Sequence, residues 1–425
     1  MEDMLQSQRP HIVIRPKQPL HWLALLGFLA IGVLTANHVY GMGAWMFAAA
    51  YIALSTIFLC DKLVFDGTTL KRRGPGAWLL YQLGKPRELG VDEIEAISSY
   101  AGKADRETLK FQTVILGVGI SWVVSSNDPT YQTFVKALFK AVNAHVLDPL
   151  STELLLYWQE SEPPFVLTNE APCTARHLER WRRKAIRLSL DGMHEAAASY
   201  FKIAHEQAPH DPQIAYDLGR FLRRRALAIG ALTERGEADL LRAETYFRMA
   251  GRLAQAQKNP RILERIGEAF YEFHHLEAAQ KYFELAAKVD PVRPRANIGL
   301  AGIALKNAQG ARAVYAYNQA VRGAIAAGAI GLAQLASRKS EYYERLMSDD
   351  AFLSAEVGWE AVLNQLKWVQ RGALTTFLGF WMLQLSTFEF MTTVRPLSRE
   401  ISATALIIWV CALVASHIIL ALRRS

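Results

Sequence analysis

The chain has 425 residues, 51% hydrophobic and 21% charged, and its 48 Lys/Arg against 40 Asp/Glu leave a net charge of +8. That length predicts two or three structural units, and the composition excludes disorder or a collagen-like repeat as a global description. Three scattered cysteines (Cys60, Cys173, Cys411) exclude a disulfide framework or a thiolate metal site and favour a reducing compartment.

In chain order, residues 1–20 are expected to form a cytoplasmic N-terminal segment. Trp22–Tyr40 and Ala44–Cys60 are two uncharged apolar runs joined by Gly41-Met42-Gly43. Each approaches the roughly 20 residues that span a bilayer core, so a transmembrane hairpin is expected over 21–60. The rival is a cleaved signal peptide, because Arg9, Arg15 and Lys17 precede the first run. Leu34-Thr35-Ala36 fits a cleavage site poorly, and the second run favours the hairpin.

Residues 61–148 read as a small α+β domain. Leu63-Val64-Phe65, a turn at Asp66-Gly67-Thr68 and Leu70–Arg73 come first; Ile94–Tyr100, Thr108–Val118 and Ile120–Ser125 follow with β-branched character. Tyr131–Val146 then shows a helical apolar stripe. Residues 149–175, with Pro149, Pro163, Pro164 and Pro172, read as a linker containing a short helix near Leu154–Trp158.

Residues 176–348 are periodic. Ala197, Phe201, Ala204 and Pro209 recur 82 residues later as Ala279, Phe283, Ala286 and Pro291. Ala313, Tyr317 and Ala320 repeat the set 34 residues further on, and Ala243, Phe247 and Ala250 supply another copy. Upstream of these stand Trp181 with Leu188, Gly219 with Leu222, Gly267 with Phe270, and Ala301 with Ala304. The second copy carries about 12 extra residues, and Gly299, Gly302 and Gly310 predict loose helices in the fourth. Ala329–Met347 is expected to cap the array, with 349–371 as a connector. Two further spans are expected at 372–394 and 402–422, separated by the loop 395–401.

The 34-residue period resembles the tetratricopeptide (TPR) repeat. The resemblance implies an α-solenoid of about four helix pairs, packed through Trp181, Ala197, Phe201, Ala204, Gly219, Phe247, Gly267, Phe283, Ala286 and Tyr317. It also implies that the first helix of each pair lines a concave groove. Tyr216, Arg220, Arg223 and Arg224 would project there from the second copy, and Arg261, Arg265 and Tyr271 from the third. Strands closed by one helix after a membrane hairpin, starting at Asp66-Gly67 and Arg72-Arg73, resemble small bacterial PH-like domains. The basic cluster Lys71-Arg72-Arg73 reads as membrane-proximal charge rather than a lipid-headgroup site.

The expected fold class is therefore mainly α: a polytopic membrane protein with two transmembrane hairpins, a PH-like α+β domain and a TPR-type solenoid. The excess of Lys/Arg beside the apolar runs places the termini and residues 61–370 in the cytoplasm, at a bacterial inner membrane. No nucleotide-binding, metal-binding or nucleophile motif occurs, so no catalytic residue, metal or cofactor is assigned. Between Arg176 and Arg345 stand 28 Lys/Arg against 18 Asp/Glu, and arginines with tyrosines suit an acidic peptide. The expected function is a membrane-anchored scaffold that recruits a protein partner, with no nucleic-acid role. The alternative is a subunit of a transport or envelope-biogenesis assembly, with Glu389 working inside a span.

Overall fold

A computed structural model describes residues 12–16, 60–82, 86–103, 109–158 and 175–385, with scattered positions between 401 and 419. These fall into two compact units. The first comprises Met1–Lys17, Lys62–Arg72 and Lys85–Glu344; the second comprises Gln18–Asp61, Arg73–Gly84 and Arg345–Ser425.

The first unit contains two antiparallel sheets. One runs in the order β1 (Ile12–Ile14), β2 (Lys62–Phe65), β3 (Thr69–Arg73) and β4 (Glu88–Gly90). The other holds β5 (Ile94–Lys103), β6 (Leu109–Gly117) and β7 (Ile120–Ser125). Strand β1 lies in the segment read from sequence as an N-terminal extension, yet Ile12 pairs with Phe65 and Ile14 with Leu63. In the β2–β3 turn, the Asp66 carboxylate accepts from the amides of Thr68 at 3.0 Å and Thr69 at 2.7 Å. Lys71 pairs with Glu88 across the β3–β4 ladder at 3.3 Å, and Arg72 is buried.

After a short α1 (Pro75–Gln82), the helix α2 (Tyr131–Ala141) buries Tyr131, Phe134, Val135, Leu138 and Phe139. Phe134 meets Phe65 edge-on with ring centroids 6.2 Å apart. A buried hydroxyl chain crosses this core: Tyr131 to Thr113 at 2.8 Å, Thr113 to Ser99 at 3.1 Å, and Ser99 to Ser151 at 2.8 Å. Ser151 belongs to α3 (Pro149–Tyr157), a helix within the stretch read from sequence as a linker.

Four helix pairs follow. They are α4 (Ala175–Leu190) with α5 (His194–Gln207), α6 (Pro212–Ile229) with α7 (Glu234–Ala256), α8 (Pro260–Glu272) with α9 (Leu276–Val289), and α10 (Pro294–Lys306) with α11 (Gly310–Ala326). The helix α12 (Ile330–Ser348) comes next. Stacked pairs of this kind make an α-solenoid-like array. The recurring positions Ala197, Phe201, Ala204, Phe247, Phe283, Ala286 and Tyr317 are all at most 2% exposed, and Trp181 is buried at 9%. A Cβ added at Gly219 would stand 2.9 Å from the Phe247 ring, and one added at Gly267 would stand 2.7 Å from the ring of Phe283. A Cβ added at Gly299, on the next pair, would stand 2.5 Å from the other edge of Phe283. Gly299 therefore seats an aromatic rather than loosening the helix, and α10 is regular over 13 residues.

The extra residues of the second copy lengthen both of its helices, to 18 residues in α6 and 23 in α7. The added turns are joined by a buried bidentate pair, in which Arg225 donates to Asp239 at 2.7 and 2.6 Å.

The second unit includes α1 and α13 (Asp350–Leu385). Asp61 accepts from the Ala77 amide at 3.2 Å in the first turn of α1, and Gln370 of α13 donates to Ser416 at 2.8 Å. Among the described residues no helix is long and apolar enough to cross a membrane. This corrects the expected fold class, two transmembrane hairpins, and with it the integral-membrane location. Asp350, Glu356, Glu360, Lys367 and Arg371 punctuate the first part of α13, and charges at that spacing are costly in a bilayer core. The runs over 21–59, residues 386–400 with Glu389, and most of 402–422 lie outside the described residues.

Candidate functional site

The sequence pointed to the arginines of α6 and α8. Asp211 starts α6 by accepting from the amides of Gln213 at 2.7 Å and Ile214 at 3.2 Å, with Pro212 at the first turn. From there Tyr216, Arg220 and Arg224 follow at four-residue intervals and share one face.

That face is occupied by α3. The small domain holds this helix firmly: Leu147 bridges in parallel to Ile97 of β5, and the Asp148 amide donates to the Ile97 carbonyl at 3.0 Å. The Asp148 side chain caps α3 by accepting from the Ser151 amide at 2.7 Å, and also accepts from the Ser99 amide at 3.3 Å. One turn on, Glu153 is carried into the arginines and is only 6% exposed. Its Oε1 lies 2.6 Å from Arg220 Nε, an ion pair without hydrogen-bond alignment, and its Oε2 accepts from Arg224. Arg224 also donates to Ser189 at 2.8 Å, and Arg220 reaches the Tyr216 hydroxyl at 3.5 Å.

Burial alone would raise the carboxyl pKa of Glu153. Arg220, then Arg224, outweigh that and hold it below the ordinary glutamate value. Burial would likewise lower the Arg220 pKa, and Glu153 reverses the shift. Tyr216 is fully buried, and burial raises its pKa.

The remaining candidates divide. Arg265 donates to Thr152 of α3 at 3.3 Å, so it joins the Glu153 cluster. Arg261, one turn earlier on α8, is only partly buried and among the described residues makes no hydrogen bond or ion pair. Arg223 turns away to Glu272 and lies over the Phe273 ring at 4.9 Å. Tyr271 is half-buried, with Lys306 Nζ 4.1 Å from its ring centre. The structure thus brings Tyr216, Arg220, Arg224 and Arg265 together around one carboxylate and sends Arg223 and Tyr271 elsewhere.

Sequence reasoning missed Glu153. Its signal is a single carboxylate directly before Leu154-Leu155-Leu156-Tyr157, the one charge on an otherwise uncharged short helix. Among the described residues no group of three or more His, Cys, Asp or Glu is placed to hold a metal ion. No protein-family model matches the chain, and no curated protein matches it in sequence.

Proposed function

We propose that the chain is a non-catalytic interaction scaffold of the tetratricopeptide type. Its arginine-lined concave face takes an acidic helical segment of a protein partner. One observation carries this reading: the face already binds such a segment in cis, with Glu153 of α3 buried between Arg220 and Arg224. Charge-assisted bonds to a carboxylate give this contact both strength and direction. The seating of aromatics on Gly219, Gly267 and Gly299 supports the repeat type. A PH-like character of the small domain is part of the same reading, supported by the strands followed by one helix.

In this reading α3 competes with a partner's acidic helix. The test is binding of a labelled peptide with the sequence of residues 148–158 to the full chain. Glu153→Gln in the chain weakens the internal competitor and should strengthen peptide binding about tenfold or more. Adding Arg220→Glu and Arg224→Glu should abolish it. If neither the native chain nor the Glu153→Gln variant binds the peptide, α3 is a permanent part of the core and the groove receives no partner.

A further inference from the structure

Beside the Glu153 cluster lies a partly open cavity of about 180 Å³. Its walls are Arg261, Glu264, Arg265 and Glu268 of α8, Arg293 and Arg295 at the start of α10, and the chain just before α3. Four guanidinium groups therefore face two carboxylates. Asp290 takes one edge of Arg293 at 3.3 Å, and Glu268 accepts from Arg295 at 2.7 Å. Among the described residues Arg261 makes no ion pair, and its nearest named opposite charge is Glu264.

Among the described residues one buried oxygen on the wall, Glu264 Oε2, on a residue 4% exposed, has no hydrogen-bond partner, while Glu264 Oε1 lies 3.6 Å from Arg293 and Arg293 Nε is the atom facing Asp290. Buried polar groups are normally satisfied, so this oxygen marks a position for a polar ligand that can donate to it. The helices α3, α8 and α10 all begin at this cavity with proline in the first turn; Asp148 and Asn259 cap the first two, and only α10, which follows Arg293, has no side-chain cap. Helix starts carry partial positive charge and favour anions.

We propose that this cavity binds a small phosphate-type oxyanion between Arg261, Arg265 and Arg293, a ligand site that adjoins the peptide groove and shares Arg265 with it. At roughly 30 Å³ per water the space equals only a few solvent molecules, below the size of drug-sized ligand pockets. A free phosphate or a small phosphomonoester fits; a nucleotide does not. The local charge agrees. Burial first, and then Arg265 and Arg293, push the Arg261 pKa down, and burial followed by Arg293 and Arg295 does the same to His145. An anion would relieve both. Burial, reinforced by Glu268, pushes Glu264 up to about 7. In its protonated form it can donate to the oxyanion, and in its ionised form it repels it.

The test is calorimetric titration of the full chain with inorganic phosphate, and in parallel with glycerol phosphate, at constant ionic strength set with chloride. Saturable binding is expected in the native chain. Arg261→Gln, an exposed position whose loss leaves the packing intact, should weaken it at least tenfold. Arg312→Gln, on the outer face of α11, should leave it unchanged. Tighter binding of glycerol phosphate would identify an organic phosphate as the natural source; equal or weaker binding would identify the free ion. Absence of saturable binding, or equal binding by Arg261→Gln and the native chain, overturns the site. Peptide exchange at Glu153 is measured separately, so either proposal can fail alone.

Discussion

Phe283 stands where a side chain on Gly267 would have to go: a Cβ built on the glycine falls 2.7 Å from the ring. The same ring touches Gly299 on the next helix pair, so one aromatic couples two repeats.

Gly267→Ala should therefore overpack this junction and cost about 1–3 kcal/mol, whereas Phe283→Ala should cost about 3–5 kcal/mol through the cavity it leaves. Denaturant unfolding of the full chain measures both. Native-like stability in either variant would show that the pairs are not joined through this ring.

Glu153→Ala should cost about 3–5 kcal/mol, because it strands Arg220 and Arg224 in a buried site. A triple variant, with Glu153, Arg220 and Arg224 all replaced by Leu or Met, should recover much of that loss. The contribution of Glu153 should persist in high salt, since the pair is screened far less than a surface contact. A salt-sensitive difference between native and variant chains would mean that α3 leaves the groove readily.

The pH dependence turns on Glu264, which faces Glu268 and Arg265 on its own helix and Arg293 and Arg295 of α10. Its carboxyl is raised from 4.5 to about 7 by burial and by Glu268. Below about pH 4.5 both folded and unfolded chains hold the proton, and this group imposes no penalty. As pH rises towards 7 the unfolded chain releases the proton first, so stability falls by roughly 3 kcal/mol across that window. Glu264→Gln should remove this loss, so the variant gains on the native chain as pH rises. Parallel pH curves for the two chains would contradict the assignment.

Asp239→Ala should expose the dependence of the long second pair on its buried ion pair. Arg225 would lose both bonds to Asp239 and remain largely buried, at a cost of about 3–5 kcal/mol. Hydrogen exchange should localise the change to the end of α6 and the start of α7. Uniform exchange across the four pairs would place the effect elsewhere.

The repeat was legible because its information is local. Small and aromatic residues recur at fixed offsets, and caps such as Asp211 before Pro212 and Asn259 before Pro260 mark where helices begin. Buried faces follow from that periodicity alone. The candidate arginines were legible as a face, but not their occupant.

Only the tertiary structure decided what meets what. Glu153 and Arg224 are 71 residues apart, and β1 finds β2 across some fifty intervening positions. Neither pairing leaves a periodic trace, because a single buried carboxylate or a three-residue strand has no repeat to read. Apolar runs alone predicted membrane crossings, yet no described helix is long and apolar enough to cross. Helix pairing in this chain is written in short-range spacing, whereas the covering of the α6 arginines by α3 depends on one long-range charge match inside a low-dielectric interior.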